Sequence, residues 1–102
     1  MYDIFVLYQR PEDQEDFDKH YRTVHAPLVE AMPLVREFTW GPVAGAGDGT
    51  PYLVARMTYA TQDDAEQSLS SPEGQAAVAD LESFAGAGVL ILNSVRTSTW
   101  QR

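Results

Sequence analysis

His25 is the residue whose type and position point most directly to chemistry in this sequence. It lies four residues after Tyr21, so on a helix the two side chains project from the same side. Pro27 lacks a backbone N–H and disfavours helical geometry at Ala26, which predicts a kink or break just after His25. We predict His25 as a proton shuttle and Tyr21 as the group that orients it or donates to an oxyanion. The structural alternative is a helix-end histidine bonded to a backbone carbonyl.

His20 is predicted to be a solvated surface residue, because it falls on the polar side of the same helix. On an α-helix, His20 and His25 point roughly 140° apart, so a two-histidine metal site is not expected. The chain has no cysteine, which excludes disulfides, thiolate nucleophiles and zinc fingers. We therefore expect no metal and no cofactor, with heme held through His25 as an open alternative.

Six further residues are candidates for a substrate-binding wall: Tyr8, Trp40, Tyr52, Arg56, Met57 and Tyr59. Taken together, they suit a flat apolar or aromatic compound that accepts hydrogen bonds from phenol groups. Taken singly, each is more simply explained as core or dimer interface.

Arg56 needs a partner, because it lies mid-strand among apolar neighbours. An ion pair with Glu37 across the hairpin is the favoured interpretation, and a ligand carboxylate or enolate is the alternative. Strand alternation puts Arg56 on the face of Tyr52 and Val54, opposite Met57 and Tyr59.

Four segments rich in β-branched and aromatic residues predict strands, at 2–8, 35–43, 52–59 and 89–95. The glycine-rich stretch 44–51 predicts a hairpin loop. It is not a phosphate loop, because no Gly-Lys-Ser/Thr follows and the next element is a strand.

Two helical regions are expected between these strands. Asp13 caps the first, whose buried side is predicted from helical spacing to be Phe17, Tyr21, Val24 and Leu28. In the second region Thr61 and Asp64 form a capping pair, and Ser71 with Pro72 starts a further helix. Its buried side is predicted to be Val78, Leu81, Phe84 and Ala85.

The resulting order, β-α-β-β-α-β, predicts a ferredoxin-like α+β fold with both helical regions on one face of a four-stranded antiparallel sheet. The other face is expected to carry large apolar groups from all four strands. Such a surface calls for a cover, and a second copy related by a two-fold axis is the simplest one. Two facing sheets would form an eight-stranded barrel with a space between them, a dimeric α/β barrel.

Composition narrows the possible partners. The 102 residues, taken as one domain spanning 1–102, are 44% hydrophobic and 22% charged, with a formal net charge of −8. Such a surface repels nucleic acid and anionic membranes. The longest apolar runs are too short to span a bilayer, and the N-terminus lacks signal-peptide features, so a cytoplasmic location is expected.

Four segments resemble the EthD family of the dimeric α/β-barrel superfamily: the strand ending VLYQRP, the helix motif FDKHYRTVHAPL at 17–28, Met32-Pro33-Leu34 with its following strand, and SSPEGQAAVADLESFAGAGV at 70–89. The resemblance implies a ferredoxin-like fold, a homodimer and a pocket in each protomer, with His25 at the position of the family's histidine. Members resemble accessory proteins of degradative operons, or cofactor-independent isomerases, cyclases and dehydratases.

Two functions remain open from the sequence. One is a cofactor-independent isomerase, cyclase or dehydratase acting on a lactone, aromatic or polyketide-like compound. Lactone-isomerase relatives also use a cysteine, which this chain lacks. The other is a non-catalytic accessory or binding protein for a hydrophobic metabolite.

Overall fold

The computed structural model describes residues 1–45 and 47–102, so Ala46 of the expected glycine-rich loop lies outside the described residues. The strands are β1 (Tyr2–Tyr8), β2 (Glu37–Pro42), β3 (Leu53–Tyr59) and β4 (Val89–Val95). The helices are α1 (Gln14–His20), a π-helical segment (Tyr21–His25), α2 (Ala26–Glu30), α3 (Gln62–Ser70) and α4 (Pro72–Phe84). The sheet order is β2-β3-β1-β4 with all neighbours antiparallel. The predicted ferredoxin-like α+β fold is confirmed.

The caps predicted from the sequence begin three of the helices. Asp13 accepts a hydrogen bond from the backbone N–H of Asp16, and Thr61 accepts one from Asp64. Ser71 accepts from Gly74, with Pro72 in the first turn of α4. Each cap satisfies a backbone donor that the first helical turn leaves free.

The helix after β1 does not break at Pro27, so of the two predicted alternatives, a kink or a break, the break is wrong. It continues from α1 through the π-helical segment into α2, with the backbone N–H of Ala26 bonded to the carbonyl of Tyr21. The irregularity lies before the proline, as a wider turn in which hydrogen bonds span five residues instead of four. This wider turn shifts the phase of the buried side: Val24 is 40% exposed, while His25 and Ala26 are buried.

The two faces of the sheet are distinguished by strand alternation and register. The helix-covered face carries the buried hydrophobic residues of β1 and β3, namely Tyr2, Ile4, Val6, Tyr8, Leu53, Ala55, Met57 and Tyr59. Val78, predicted to be buried on α4, is 51% exposed, and Ala77 is buried instead. The helix-covered face therefore holds the core of the chain.

The opposite face, called here the bare face, carries no helix and is only partly apolar. Its apolar part comes from Phe5, Leu7, Val54, Leu90 and Leu92. Strand β2 presents Glu37, Thr39 and Gly41 there, so the expectation of large apolar groups from all four strands is wrong. Leu90 and Leu92 are 51% and 46% exposed, and they mark the apolar part as uncovered within one chain.

The polar end of the bare face is held by ion pairs. Arg96 donates two hydrogen bonds to the Asp3 carboxylate, at 2.8 and 3.1 Å, and the Thr58 hydroxyl donates a third at 2.7 Å. Burial opposes the ionised form of Asp3, but Arg96 and Thr58 outweigh it and lower the pKa of this carboxyl. Asp3 is therefore a satisfied structural charge.

Candidate functional site

A cavity of about 220 Å³ lies between the sheet and the helices. Its wall is mostly apolar, formed by Ile4, Val6, Val29, Met32, Met57, Leu69, Ala77, Val78, Leu81 and Ile91. The polar lining residues are Tyr8, His25 and Asn93, and no Lys, Arg, Asp or Glu of the described chain lines it. The sequence argument placed the space between two facing sheets, whereas the cavity with His25 lies on the other side of the sheet, within one chain.

His25 is held between a carboxylate and a phenol. Its Nδ1 lies 3.0 Å from Oδ2 of Asp80 on α4, and its Nε2 lies 3.4 Å from the Tyr8 hydroxyl on β1. A carboxylate only accepts hydrogen bonds, so Nδ1 carries the hydrogen and Nε2 keeps its lone pair. His25 thereby presents a basic nitrogen toward Tyr8 and the cavity.

Burial lowers the pKa of His25, and the hydrogen bond and charge of Asp80 partly offset this effect. The imidazole is therefore neutral at neutral pH, which is the form that accepts a proton. The ring also packs against Phe84, with centroids 4.8 Å apart. These contacts fix the orientation of a group that is only 4% exposed.

His20 is not the solvated surface residue that was predicted. Its Nε2 lies 3.0 Å from both oxygens of Asp80, and its ring stacks on Phe84 at 4.9 Å. The π-helical turn explains the difference, because residues five apart come close to one face where hydrogen bonds span five residues. The two histidines thus converge on one carboxylate instead of diverging.

Tyr8, and not Tyr21, is the phenol beside His25 Nε2. Tyr21 packs on Tyr8 with ring centroids 5.5 Å apart, and its buried hydroxyl has no hydrogen-bond partner among the described residues. Burial raises the pKa of both phenols above the ordinary value, so both stay protonated and can donate. The catalytic role of Tyr21 stays a prediction.

The structure brings only part of the predicted wall together. Met57 joins Tyr8 in the cavity lining. Tyr59 is fully buried outside the lining, and its hydroxyl hydrogen-bonds Ser68 at 2.9 Å. Arg56 lies on the bare face and forms an ion pair with Glu37, which is the favoured of its two predicted partners.

Trp40 and Tyr52 lie around Tyr21, away from the cavity. They line a separate depression of about 130 Å³, with the Trp40 ring 4.8 Å from that of Tyr21. The Tyr52 hydroxyl donates to Asp18 at 2.8 Å, and its ring meets Phe17 edge-on. Tyr52 therefore lies on the helix side, and its predicted sharing of a face with Arg56 is wrong. It precedes the first residue of β3, where alternation no longer applies.

Sequence reasoning missed two polar residues of the site. Asp80 is mostly buried on α4, at helical spacing from Ala77 and Phe84 and next to Leu81. A carboxylate within an apolar helical stripe needs a partner, and this signal could have found it. Asn93 likewise occupies a helix-side position of a strand that is otherwise apolar from 89 to 92.

Across the described part of the chain, no group of three or more His, Cys, Asp or Glu side chains is placed to hold a metal ion. His20 and His25 each hydrogen-bond Asp80. No helix within residues 1–45 and 47–102 is both long and apolar enough to cross a membrane.

The fold and the site define a class: a ferredoxin-like α+β protein with a histidine-bearing apolar cavity between sheet and helices. The family model of the EthD domain matches residues 9–88. The chain therefore belongs to the EthD family.

Relatives agree with this assignment. An 11.0 kDa protein of the thcB-thcC intergenic region of Rhodococcus erythropolis is 39% identical over 95 residues, covering 90% of this chain and 91% of that protein. The crystal structure of an ethyl tert-butyl ether D (EthD) family protein from Bacillus halodurans is 30% identical, with a TM-score of 0.89, covering 95% of this chain and 99% of the other. A dimeric ferredoxin-like protein from Thermobifida fusca shares the fold at 16% identity, with a TM-score of 0.74 and coverage of 93% and 90%.

Proposed function

We propose that the chain binds an uncharged apolar or aromatic compound in the cavity and that His25 moves a proton on it. The observation that carries the proposal is the arrangement of His25, with Nδ1 on Asp80 and Nε2 beside Tyr8 and the cavity. A buried neutral imidazole oriented by a carboxylate is a competent general base.

The lining supports an uncharged ligand. The cavity wall offers no cation to a carboxylate or phosphate, and Asp80 behind His25 adds a negative charge. An anionic ligand would lose its hydration without compensation. A lactone, an aromatic ketone or a polyketide-like carbonyl compound fits this wall, with its oxygen near the phenol of Tyr8 or the amide of Asn93.

The reaction that fits is removal of a proton from carbon next to a carbonyl, followed by isomerisation, cyclisation or dehydration. His25 Nε2 takes the proton and becomes imidazolium, which Asp80 stabilises. The protonated phenol of Tyr8 donates a hydrogen bond to the developing enolate oxygen. The same proton returns to another atom of the ligand, or leaves with water in a dehydration.

Deuterium exchange in D₂O tests this step without a known product. Uncharged lactones and aromatic ketones are incubated with the protein, and loss of the proton signal next to the carbonyl is followed by NMR. The expected result is exchange with the native chain, its loss in His25→Gln, and its retention in the surface variant Lys19→Gln. Equal exchange in native chain and His25→Gln would contradict the proposal.

A binding role without turnover is the second candidate, favoured by the strongly apolar wall. The same cavity would then sequester a hydrophobic metabolite or deliver it to a partner enzyme, with His25 only hydrogen-bonded to it. A co-purifying compound, seen by mass spectrometry together with no exchange on any carbonyl probe, would support this role. A Soret band after addition of heme, lost in His25→Gln, would instead support heme handling.

We also infer that two chains pair through their bare faces into a homodimer, the dimeric α/β barrel. The half-exposed Leu90 and Leu92 support this, because a second copy would remove both from water. Sedimentation of the native chain as a stable monomer would contradict it. The cytoplasmic location stays a prediction.

A further inference from the structure

The Asp80 carboxylate serves two imidazoles, of which the proposed reaction uses only one. His25 Nδ1 contacts Oδ2, while His20 Nε2 lies at 3.0 Å from both oxygens. The side chain of His20 is 26% exposed, compared with 5% for His25 and 10% for Asp80. The three groups thus form a line from water to the cavity.

We propose that His20 is a positioning residue, which fixes the Asp80 carboxylate so that it keeps His25 in the single tautomer with Nε2 free toward the cavity. The catalytic use of Nε2 rests on the proposed function. The tautomer itself is a property of the ligand-free chain and can be measured without a substrate.

The geometry of the carboxylate explains why a second donor matters. Terminal torsions of Asp side chains are broad, so one hydrogen bond to His25 leaves the carboxylate able to rotate. Contact of His20 with both oxygens removes this freedom, and the Phe84 ring, stacked on His20 and tilted against His25, holds the donors in place. A rotated Asp80 would release Nδ1, and either nitrogen of His25 could then carry the hydrogen.

His20 also influences His25 by charge. The titratable groups around His25 are Tyr8 from β1, Tyr21 from the same helix, Asp80 from α4, and His20. Both phenols are neutral, so Asp80 and His20 provide the charge. When the partly exposed His20 is protonated, its positive charge opposes protonation of His25.

Imidazole ¹⁵N NMR of the full chain measures both effects. In the native chain, His25 is expected to show one tautomer, with Nδ1 protonated and Nε2 bare. His20→Phe keeps a ring for stacking but donates nothing, so a mixture of tautomers is expected there. His20→Gln keeps a donor without a titrating charge, so the single tautomer is expected to return, with the titration midpoint of His25 shifted upward.

A single unchanged tautomer in a folded His20→Phe chain would overturn the inference. If His20→Phe does not fold, the same spectrum of His20→Leu decides: a mixture of His25 tautomers supports the inference, and a single tautomer overturns it. No ligand is needed for these spectra, so the result is independent of deuterium exchange. If no deuterium exchange is seen but His20→Phe gives a mixture of tautomers, the proposed reaction is wrong and the positioning role of His20 stands.

Discussion

The two faces of the sheet treat polar groups differently. On the helix-covered face, Asp80 finds both of its imidazole partners within the same chain, surrounded by aromatic rings. On the bare face, the ion pairs Asp3–Arg96 and Glu37–Arg56 stand beside leucines that remain half exposed. The helix-covered face holds the buried core of β1 and β3, while on the bare face the charged side chains are paired and the leucines of β4 stay half exposed.

Under the proposed pairing of two chains, this difference means that folding and assembly depend on separate residues. A change on the helix-covered face should act on stability and on the site. A change in the apolar part of the bare face should act on the association of two chains and leave the site intact.

Leu92→Asp should have the largest effect, on association. A two-fold interface would contain Leu92 twice; burying its exposed half contributes roughly 1 kcal/mol per copy, and each introduced carboxylate must also lose water, so the dimer should weaken by roughly 100-fold. Analytical ultracentrifugation over a dilution series measures this. The control Val24→Asp changes a similarly exposed residue on the helix side and should leave the dimer intact. Equal dissociation in both variants would end the distinction between the faces.

Gly74→Ala should destabilise the chain itself. A Cβ at this position would lie 2.1 Å from the backbone oxygen of Ser68 and 2.7 Å from that of Leu69, where α3 meets α4. Relieving such a clash moves α4, at a cost of about 3 kcal/mol in the free energy of unfolding. Urea unfolding tests it against Gly86→Ala, which meets nothing within 4 Å. Similar urea midpoints for the two variants would show that a Cβ at residue 74 does not clash where α3 meets α4.

Asp3→Asn should remove a stabilisation that depends on pH. Because the folded state lowers the pKa of Asp3, its stabilisation is present above about pH 4 and is lost as pH falls through the folded value. At pH 7 the variant should be less stable by about 1 kcal/mol, discounted for the partly exposed Arg96. The difference from the native chain should shrink in acid, whereas the exposed Asp48→Asn should show none. A difference independent of pH would refute the assignment.

His25→Gln tests the opposite face through the pH dependence of stability. The folded state lowers the pKa of His25, so the native chain should lose stability as pH falls below about 6.5 toward the folded value. Above that range this contribution is fully present. The variant should lack this part of the pH dependence, measured by thermal unfolding between pH 7.5 and 5 or so. Parallel curves for both chains would contradict a buried neutral imidazole.

Much of the fold follows from local signals. Strands β1 and β4 lie at the predicted residues, because β-branched and aromatic runs bounded by turn residues mark them clearly. Asp13, Thr61 and Ser71 cap the helices as predicted, because their side chains bond within their own helical turn. Such interactions are local in sequence and need no knowledge of tertiary structure.

The site could be predicted only in part. His25 was found from its position, but Asp80 is 55 residues away, and only the packing of α4 on the first helix brings them together. Helical spacing also assumed 3.6 residues per turn, which placed Val24 inside and turned His20 away. A periodicity test with one fixed period cannot detect a wider turn within a continuous helix.

The π-helical segment makes the cluster depend on backbone length. The number of residues in the turn Tyr21–His25 sets the direction of the side chains on either side of it. Ordinary α-helical winding over these residues would direct the two imidazoles roughly 140° apart, so a spacing of five residues needs the wider turn to bring both to Asp80. The distance in residues between His20 and His25 is thus as much a part of this centre as the imidazoles are.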